Sequence, residues 1–389
     1  MKDNPLAITD PNSVLILGAG VSVPFGLPTG EQLMNELADD VSTVVDSAIS
    51  RDRNSGRVTR TRLDPNELYL RAFGPDDSDM QKTLGLLQLL AVLLVNQTSD
   101  SIDDFIVMNS KLAGITKWCI AVKLFRCMYT SPGNSPHRLN TLDRRNLDYS
   151  TVYYKGTPIR RIHGDRIYER NWIHRLINLV RLGIAQKTVS RENKIRIITF
   201  NYDPILEHVL ELQFSNTDEG PEKYPDYKKF IDIRHMHGQF ERLTEQATTS
   251  DAADLIKSWA DSIFVVREVD EDAAPTQIKQ DREKARNWVV DADNMYACGF
   301  AFAKANTDLL RLGPGAPPLL PQKEEYPPAM GQKQDVYCYN HGNSIGVRMA
   351  VENLATKGAA LRTRVVDHSY TEGQNLSDWI GVGNLGEMP

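Results

Sequence analysis

Ser13-Val14-Leu15-Ile16-Leu17-Gly18 (13–18) is a short apolar run that ends in glycine, followed at once by Ala19-Gly20-Val21-Ser22. A continuous apolar run of this length bounded by glycine is the pattern of a strand buried on both faces, as parallel strands are. Gly and Pro punctuate the next residues up to Pro28-Thr29-Gly30, and GEQLMNELADDVSTVVDSAI (30–49) then carries apolar residues at helical spacing. Thr29 with Gln32 three positions on makes a capping box, in which each residue satisfies a free group of the other. The stretch reads as strand, phosphate-sized loop and helix.

Beyond this unit the rhythm is lost over 50–190, where apolar helical patterns near 79–97 and 104–129 are joined by polar, Arg-rich connections. Strand signals return at KIRIITF (194–200), FIDIRHMHG (230–238), IFVVREV (263–269), MYACGFAF (295–302), DVYCYN (335–340) and LRTRVVD (361–367). Helical patterns lie between most of them, at 204–214, 304–312 and 345–357, whereas the Pro-rich 313–328 reads as a loop. Strands alternating with helices predict an α/β fold: a Rossmann-like, doubly wound, mostly parallel sheet with a largely helical insertion. The core spans 1–49 and 190–389, and the insertion 50–189.

The chain has 389 residues, 41% apolar and 25% charged, enough for a sizeable buried core. A net charge of −6 argues against nucleic acid as the main partner, so direct nucleic-acid binding is not expected. Arginines crowd 51–62 and 160–175; solvated faces or subunit contacts explain such runs more often than a nucleic-acid patch does. The apolar run Leu84 to Val95, interrupted by Gln88, is too short to cross a bilayer and reads as a buried core helix, so no membrane partner is expected. The polar start MKDNPLAITD does not read as a secretory signal, and Cys119, Cys127, Cys298 and Cys338 form no CxxC pair; a reduced, cytoplasmic setting fits.

Three stations carry candidate chemistry. The first is the glycine loop with Gly18, Ala19, Gly20 and Ser22, where the backbone can approach a pyrophosphate closely, or simply turn. The ordinary dinucleotide fingerprint wants glycine where Val23 stands and an acidic residue about twenty positions on; neither is present. The second is Thr199-Phe200-Asn201-Tyr202-Asp203 at a strand's carboxyl end, where open α/β sheets place ligands. Asp203 can also cap the helix that Pro204 begins; the two roles are compatible. The third is His237-Gly238, a general base within reach of a substrate hydroxyl or a satisfied structural histidine. His235 lies on the same strand face, so a His-x-His metal pair is conceivable, but no further ligand cluster accompanies it.

In this order GAGVS, TFNYD and MHG resemble the sirtuin patterns GAGxS, TxNxD and HG. The fuller similarity is to bacterial sirtuin-like proteins, whose loop runs on as GLPTG (26–30) and whose second motif reads TxNYD (199–203). Gly299-Phe300-Ala301-Phe302 with Thr307-Asp308-Leu309-Leu310 is similar to the family's late glycine-aromatic strand and helix. Family order selects His237 over His163-Gly164, which precedes TFNYD. The resemblance implies catalytic Asn201, His237 and Asp203. It further implies NAD contacts from Gly18, Ala19, Gly20, Ser22, Thr29, Thr199, Gly299, Phe300, Thr307 and Asp308.

Deacylating sirtuins carry a zinc ribbon of two cysteine pairs after HG; here only Cys298 and Cys338 follow His237, so no zinc is expected. What the resemblance then implies is hydrolysis of NAD to nicotinamide and ADP-ribose, as in antiphage effectors that deplete NAD. The alternatives are an NAD-dependent deacylase or ADP-ribosyltransferase, or a nucleotide-sensing assembly subunit without turnover. Control by homo-oligomerisation, by a separately encoded HerA-type ring ATPase or by a phage-derived trigger is the regulation the family suggests.

Overall fold

Every residue of Ser13–Leu17 is buried, and this segment forms β1, the strand on which the sheet is built. A computed structural model of the chain describes residues 8–25, 27–53, 65–74, 76–97, 101–129, 153–154, 157–158, 172–215, 226–241, 249–265, 274–312, 335–339 and 366–367. A two-stranded hairpin pairs β2 (Tyr153–Tyr154) with β3 (Thr157–Pro158). The main sheet adds β4 (Ile195–Thr199), β5 (Ile231–His235), β6 (Asn294–Cys298), β7 (Asp335–Tyr339) and β8 (Val366–Asp367) to β1. Its order is β5-β4-β1-β6-β7-β8, and every neighbouring pair is parallel. The chain thus winds to one side of β1 and then to the other.

The helices are α1 (Gly30–Arg53), α2 (Asp77–Val95), α3 (Ile102–Met108), α4 (Ala113–Tyr129), α5 (Trp172–Ala185), α6 (Ile205–Ser215), α7 (Thr249–Ser262), α8 (Thr276–Asp291) and α9 (Lys304–Leu309). Alternate strand residues point to opposite faces, so β1 feeds two cores. Leu15 and Leu17, with Ile197 and Cys298, join the larger core, which takes in apolar residues of α1, α4, α5, α6 and α7. Val14 and Ile16, with Ile198 and Met295, join the smaller one under Ala285, Trp288 and Val289 of α8 and Leu309 of α9. Helices on both faces explain why the strands read as apolar runs rather than alternations.

The capping box forms as the sequence predicts: the Thr29 N–H donates to Gln32 Oε1 (2.9 Å) and the Gln32 N–H to Thr29 Oγ1 (3.2 Å). The helices of the insertion are not separately cored. Leu87 and Leu90 of α2, Phe105 of α3 and Phe125 of α4 belong to the same apolar cluster as Leu15 and Leu17. Asp40 on α1 ties the layers further, accepting from the Tyr69 hydroxyl (2.9 Å) and from Lys123 Nζ (3.0 Å) on α4.

Several expectations change. The helical pattern 104–129 breaks at Asn109, whose main-chain N–H and side-chain amide both donate to Phe105 O (3.0 Å each), closing α3 before α4 starts. Segment 84–95 is not a wholly buried core helix: α2 buries Leu87, Leu90 and Leu94 but exposes Leu89, Val92 and Val95 at 51%, 59% and 67%. By length and composition α2 could span a bilayer. At 263–269, Ile263–Val265 pair with no strand, and 266–273 lie outside the described residues. The strand expected over 295–302 stops at Cys298, because Gly299 adopts φ +59° and turns the chain. The helix expected at 345–357, the Pro-rich 313–328 and His163 lie outside the described residues.

Candidate functional site

Leu17, Thr199 and His235 are register neighbours across β1, β4 and β5, so they form a row at the carboxyl ends of three adjacent strands. Just beyond β4 the Asn201 N–H donates to Thr199 Oγ1 (3.1 Å), bending the chain off the strand. Asp203 Oδ1 then accepts the Ile205 N–H (3.2 Å) and caps the start of α6. Its other oxygen, Oδ2, accepts from the Ser22 hydroxyl (2.9 Å), brought in by the 3-10 turn Ala19–Phe25 that follows β1. Ser22 Oγ in turn accepts from Asn201 Nδ2 (2.9 Å). Capping and facing the cleft are therefore both true of Asp203.

These groups wall a small pocket of about 10 Å³, room for about one water molecule. Trp172 at the start of α5 closes one side and donates its indole N–H to Val21 O (2.9 Å). Opposite, His235 and Glu207 form a buried pair, with His235 Nε2 2.5 Å from Glu207 Oε1. The second ring nitrogen, Nδ1, lies 3.2 Å from Asn201 O. A carbonyl can only accept, so Nδ1 carries the hydrogen. Burial works against charge on His235, but the Glu207 carboxylate and the Asn201 carbonyl outweigh it and raise its pKa. Asp203 is pushed up to about 6: burial dominates, against the hydrogen bonds from Ser22 and Ile205, and the Glu207 charge adds to the rise.

His237 is buried but does not line this pocket. Its ring packs edge-on to Phe200 (5.2 Å between centroids) and near Tyr202 (5.9 Å), the residues that bracket Asn201 in sequence. Nδ1 lies 3.2 Å from Phe264 O, and Nε2 lies 3.2 Å from Asn306 Oδ1, with Asp103 Oδ2 at 3.7 Å. Burial lowers its pKa, opposed by Asp103 and aided by Arg282. Gly238 follows at φ +96°, where an added Cβ would stand 2.0 Å from Ser262 O. The shared strand face expected for His235 and His237 is not formed, because β5 ends at His235, and each ring nitrogen of both already faces a protein partner. A shared metal would have to displace those partners.

The loop glycines serve a close approach of backbones. Gly18 N–H donates to Cys298 O (3.0 Å) and Gly20 N–H to Gly299 O (3.1 Å). A Cβ on Gly18 would lie 2.4 Å from Gly299 O, and one on Gly299 would lie 2.5 Å from Val21 N. Among the other candidates, Phe300 packs between Phe200 and Phe302 (4.8 Å to each). Thr307 Oγ1 donates to Lys304 O (2.9 Å) inside α9, and Asp308 pairs with Lys304 (2.5 Å) on the surface. Thr29 serves the helix cap.

The structure thus brings Ser22, Thr199, Asn201 and Asp203 together, sets His237 beside them behind Phe200 and Tyr202, and leaves Thr307 and Asp308 turned to their own helix. Sequence reasoning missed Trp172 and Glu207, and named His235 only as half of a metal pair. The spacing Asp203 to Glu207, one helical turn, was the available signal for Glu207. No protein-family model matches the chain, and neither does any curated protein.

Proposed function

We propose that this chain is a sirtuin-like NAD hydrolase on a Rossmann-like, doubly wound sheet, cleaving NAD to nicotinamide and ADP-ribose. The observation that carries the reading is the hydrogen-bonded chain Asp203–Ser22–Asn201, which joins the GAGVS and TFNYD motifs across 179 residues of sequence. It lies at the carboxyl ends of parallel strands beside β1, on whose two sides the sheet winds in opposite directions, and open α/β sheets bind ligands there.

Hydrolysis breaks the bond between the nicotinamide nitrogen and ribose C1′ and forms one from a water oxygen to C1′. The bonding pair leaves with nicotinamide, which becomes neutral, and the water proton goes to a base. The transition state is oxocarbenium-like, so positioning and electrostatics do most of the work. Asn201 Oδ1, buried and without a partner, is the acceptor for the attacking water or a ribose hydroxyl. His237 is the base of this reading: its lowered pKa favours a neutral ring, Nδ1–H donates to Phe264 O, and Nε2 must give up its contact with Asn306 Oδ1 (3.2 Å) to accept the proton. Such an activity left unchecked would exhaust cellular NAD, so control by self-assembly or a partner ATPase belongs to the same reading, as does a role in antiphage defence.

The test is incubation of the purified chain, alone and with its partner or trigger, with NAD, followed by chromatography. Free nicotinamide and ADP-ribose are expected. O-acyl-ADP-ribose or a labelled protein would mean transfer instead, and NAD bound but intact would mean a sensing subunit.

A further inference from the structure

Asn201 has four hydrogen-bonding groups, and three are fixed by the protein. Its N–H is held by Thr199 Oγ1 (3.1 Å), its main-chain carbonyl by His235 Nδ1 (3.2 Å) and its side-chain amide nitrogen by Ser22 Oγ (2.9 Å). Only Oδ1 is left, buried and unpaired. The orientation of the amide follows from donor counting. The single Ser22 hydroxyl hydrogen goes to Asp203 Oδ2, so Ser22 can only accept from Asn201, which must present its NH₂ there and aim Oδ1 elsewhere.

Among these holders His235 is the one that is itself built into place. Its Nε2 meets Glu207 Oε1 at 2.5 Å, both side chains are buried, and Glu207 stands one turn along the helix that Asp203 caps. A buried imidazole–carboxylate pair costs desolvation and adds little stability as a rule, so its value is the geometry it imposes. The groups facing His235 are Glu207 and Asp203 from α6 and its cap, and the Asn201 carbonyl after β4. A side-chain donor beneath a strand-end turn keeps the Asn201 main chain from rotating, and rotation there would swing Oδ1 away from the pocket.

We infer that His235, held by Glu207, is a positioning residue for Asn201: its Nδ1–H fixes the Asn201 carbonyl so that Oδ1 is presented to substrate as a single preorganised acceptor. This rests on the hydrolase reading. The asparagine amide nitrogen reaches about where histidine Nδ1 does, so His235→Asn keeps the donor to Asn201 and loses the Glu207 link, whereas His235→Phe loses both.

The experiment measures kcat and KM for NAD with the full-length wild type, His235→Asn and His235→Phe, each in the assembly that turns over. Expected is a fall of roughly 100-fold in kcat for His235→Phe with KM nearly unchanged, and recovery to within roughly threefold of wild type for His235→Asn. If His235→Phe fails to fold, the Asn variant decides together with the nitrogen resonances of wild-type His235, which should show a protonated Nδ1. Equal kcat for all folded variants, or an unprotonated Nδ1, overturns the inference while leaving the hydrolase reading intact. A wild type that leaves NAD whole in every assembly overturns the hydrolase reading itself, and this role with it.

Discussion

Replacing Asp203 by asparagine should separate what this carboxylate does for the fold from what it does for the site. Asp203 is buried, and its carboxyl is pushed from 3.8 to about 6. A raised acid pKa means that the native state holds a proton over a range where the unfolded chain has released it. The stabilisation is therefore complete below pH 3.8 and is lost as pH rises through 6. A shift of this size corresponds to about 3 kcal/mol. An asparagine cannot ionise, still accepts the Ile205 N–H at the cap, and escapes that loss. It also disturbs the Ser22 hydrogen bond, at a cost of about 1–2 kcal/mol that does not vary with pH.

Urea unfolding of both proteins at several values between about pH 4 and pH 7.5 gives the stability of the variant minus that of the wild type. It should rise by about 3 kcal/mol across that range, with the change centred between the two pKa values. A flat difference would show that Asp203 does not titrate with a raised pKa, and a falling one that the hydrogen bonds from Ser22 and Ile205 outweigh burial. Turnover should move the other way. Without an ionised Asp203 to take the Ser22 hydrogen, the Asn201 amide loses its fixed orientation, and kcat should drop on the order of 100-fold.

Asn201→Ala and His237→Ala should each abolish nicotinamide release in protein that still folds by circular dichroism, His237→Ala with lowered stability because a buried, packed ring is lost, whereas His163→Ala stays active; a dead His163 variant beside an active His237 variant reverses the assignment. Gly18→Ala drives a Cβ to 2.4 Å from Gly299 O and should destabilise by about 1–3 kcal/mol or block folding, read by thermal unfolding. Trp259→Ala removes a fully buried ring stacked on Phe240 at 4.5 Å and should cost about 3–5 kcal/mol in urea titration. Elemental analysis after chelation and dialysis should find no zinc, with the melting temperature unchanged; one tight zinc per chain would reopen the deacylase alternative.

The strands were the most legible part of the chain, because burial on both faces leaves nothing but apolar side chains at 14–17 or 197–198. α8 was not legible for a specific reason. Its inward face carries Asp281 and Arg282 as well as Ile278, Ala285 and Trp288: Asp281 pairs with Arg234 (2.8 Å), and Arg282 donates from Nε to Met236 O (3.0 Å). Hydrophobic periodicity does not register a buried stripe that includes charged side chains. Within the site, Asn201 and Asp203 were legible because their motif sits at a strand's carboxyl end, where open α/β sheets place ligands. Trp172 escaped because it enters from the insertion, far from any motif, and Glu207 because a helical glutamate is ordinarily a surface residue.

The glycine loop and the pocket divide the electrostatics between them. With the N–H groups of Gly18 and Gly20 donating to carbonyls at the end of β6, these glycines bring two strand ends together and leave two fewer donors for a phosphate. The pocket wall carries Asp203 and Glu207 against the single cationic partner His235, so with both acids ionised its charge is negative. A pyrophosphate is repelled from such a wall, whereas the pyridinium ring of NAD, positive until the glycosidic bond breaks, is drawn to it. On the hydrolase reading the two carboxylates of the α6 cap and first turn therefore favour the nicotinamide end of the substrate over its phosphates. On the same reading, as cleavage proceeds positive charge leaves the ring for the ribose, next to the unpaired acceptor Asn201 Oδ1, and the neutral nicotinamide loses its attraction to the wall that held it.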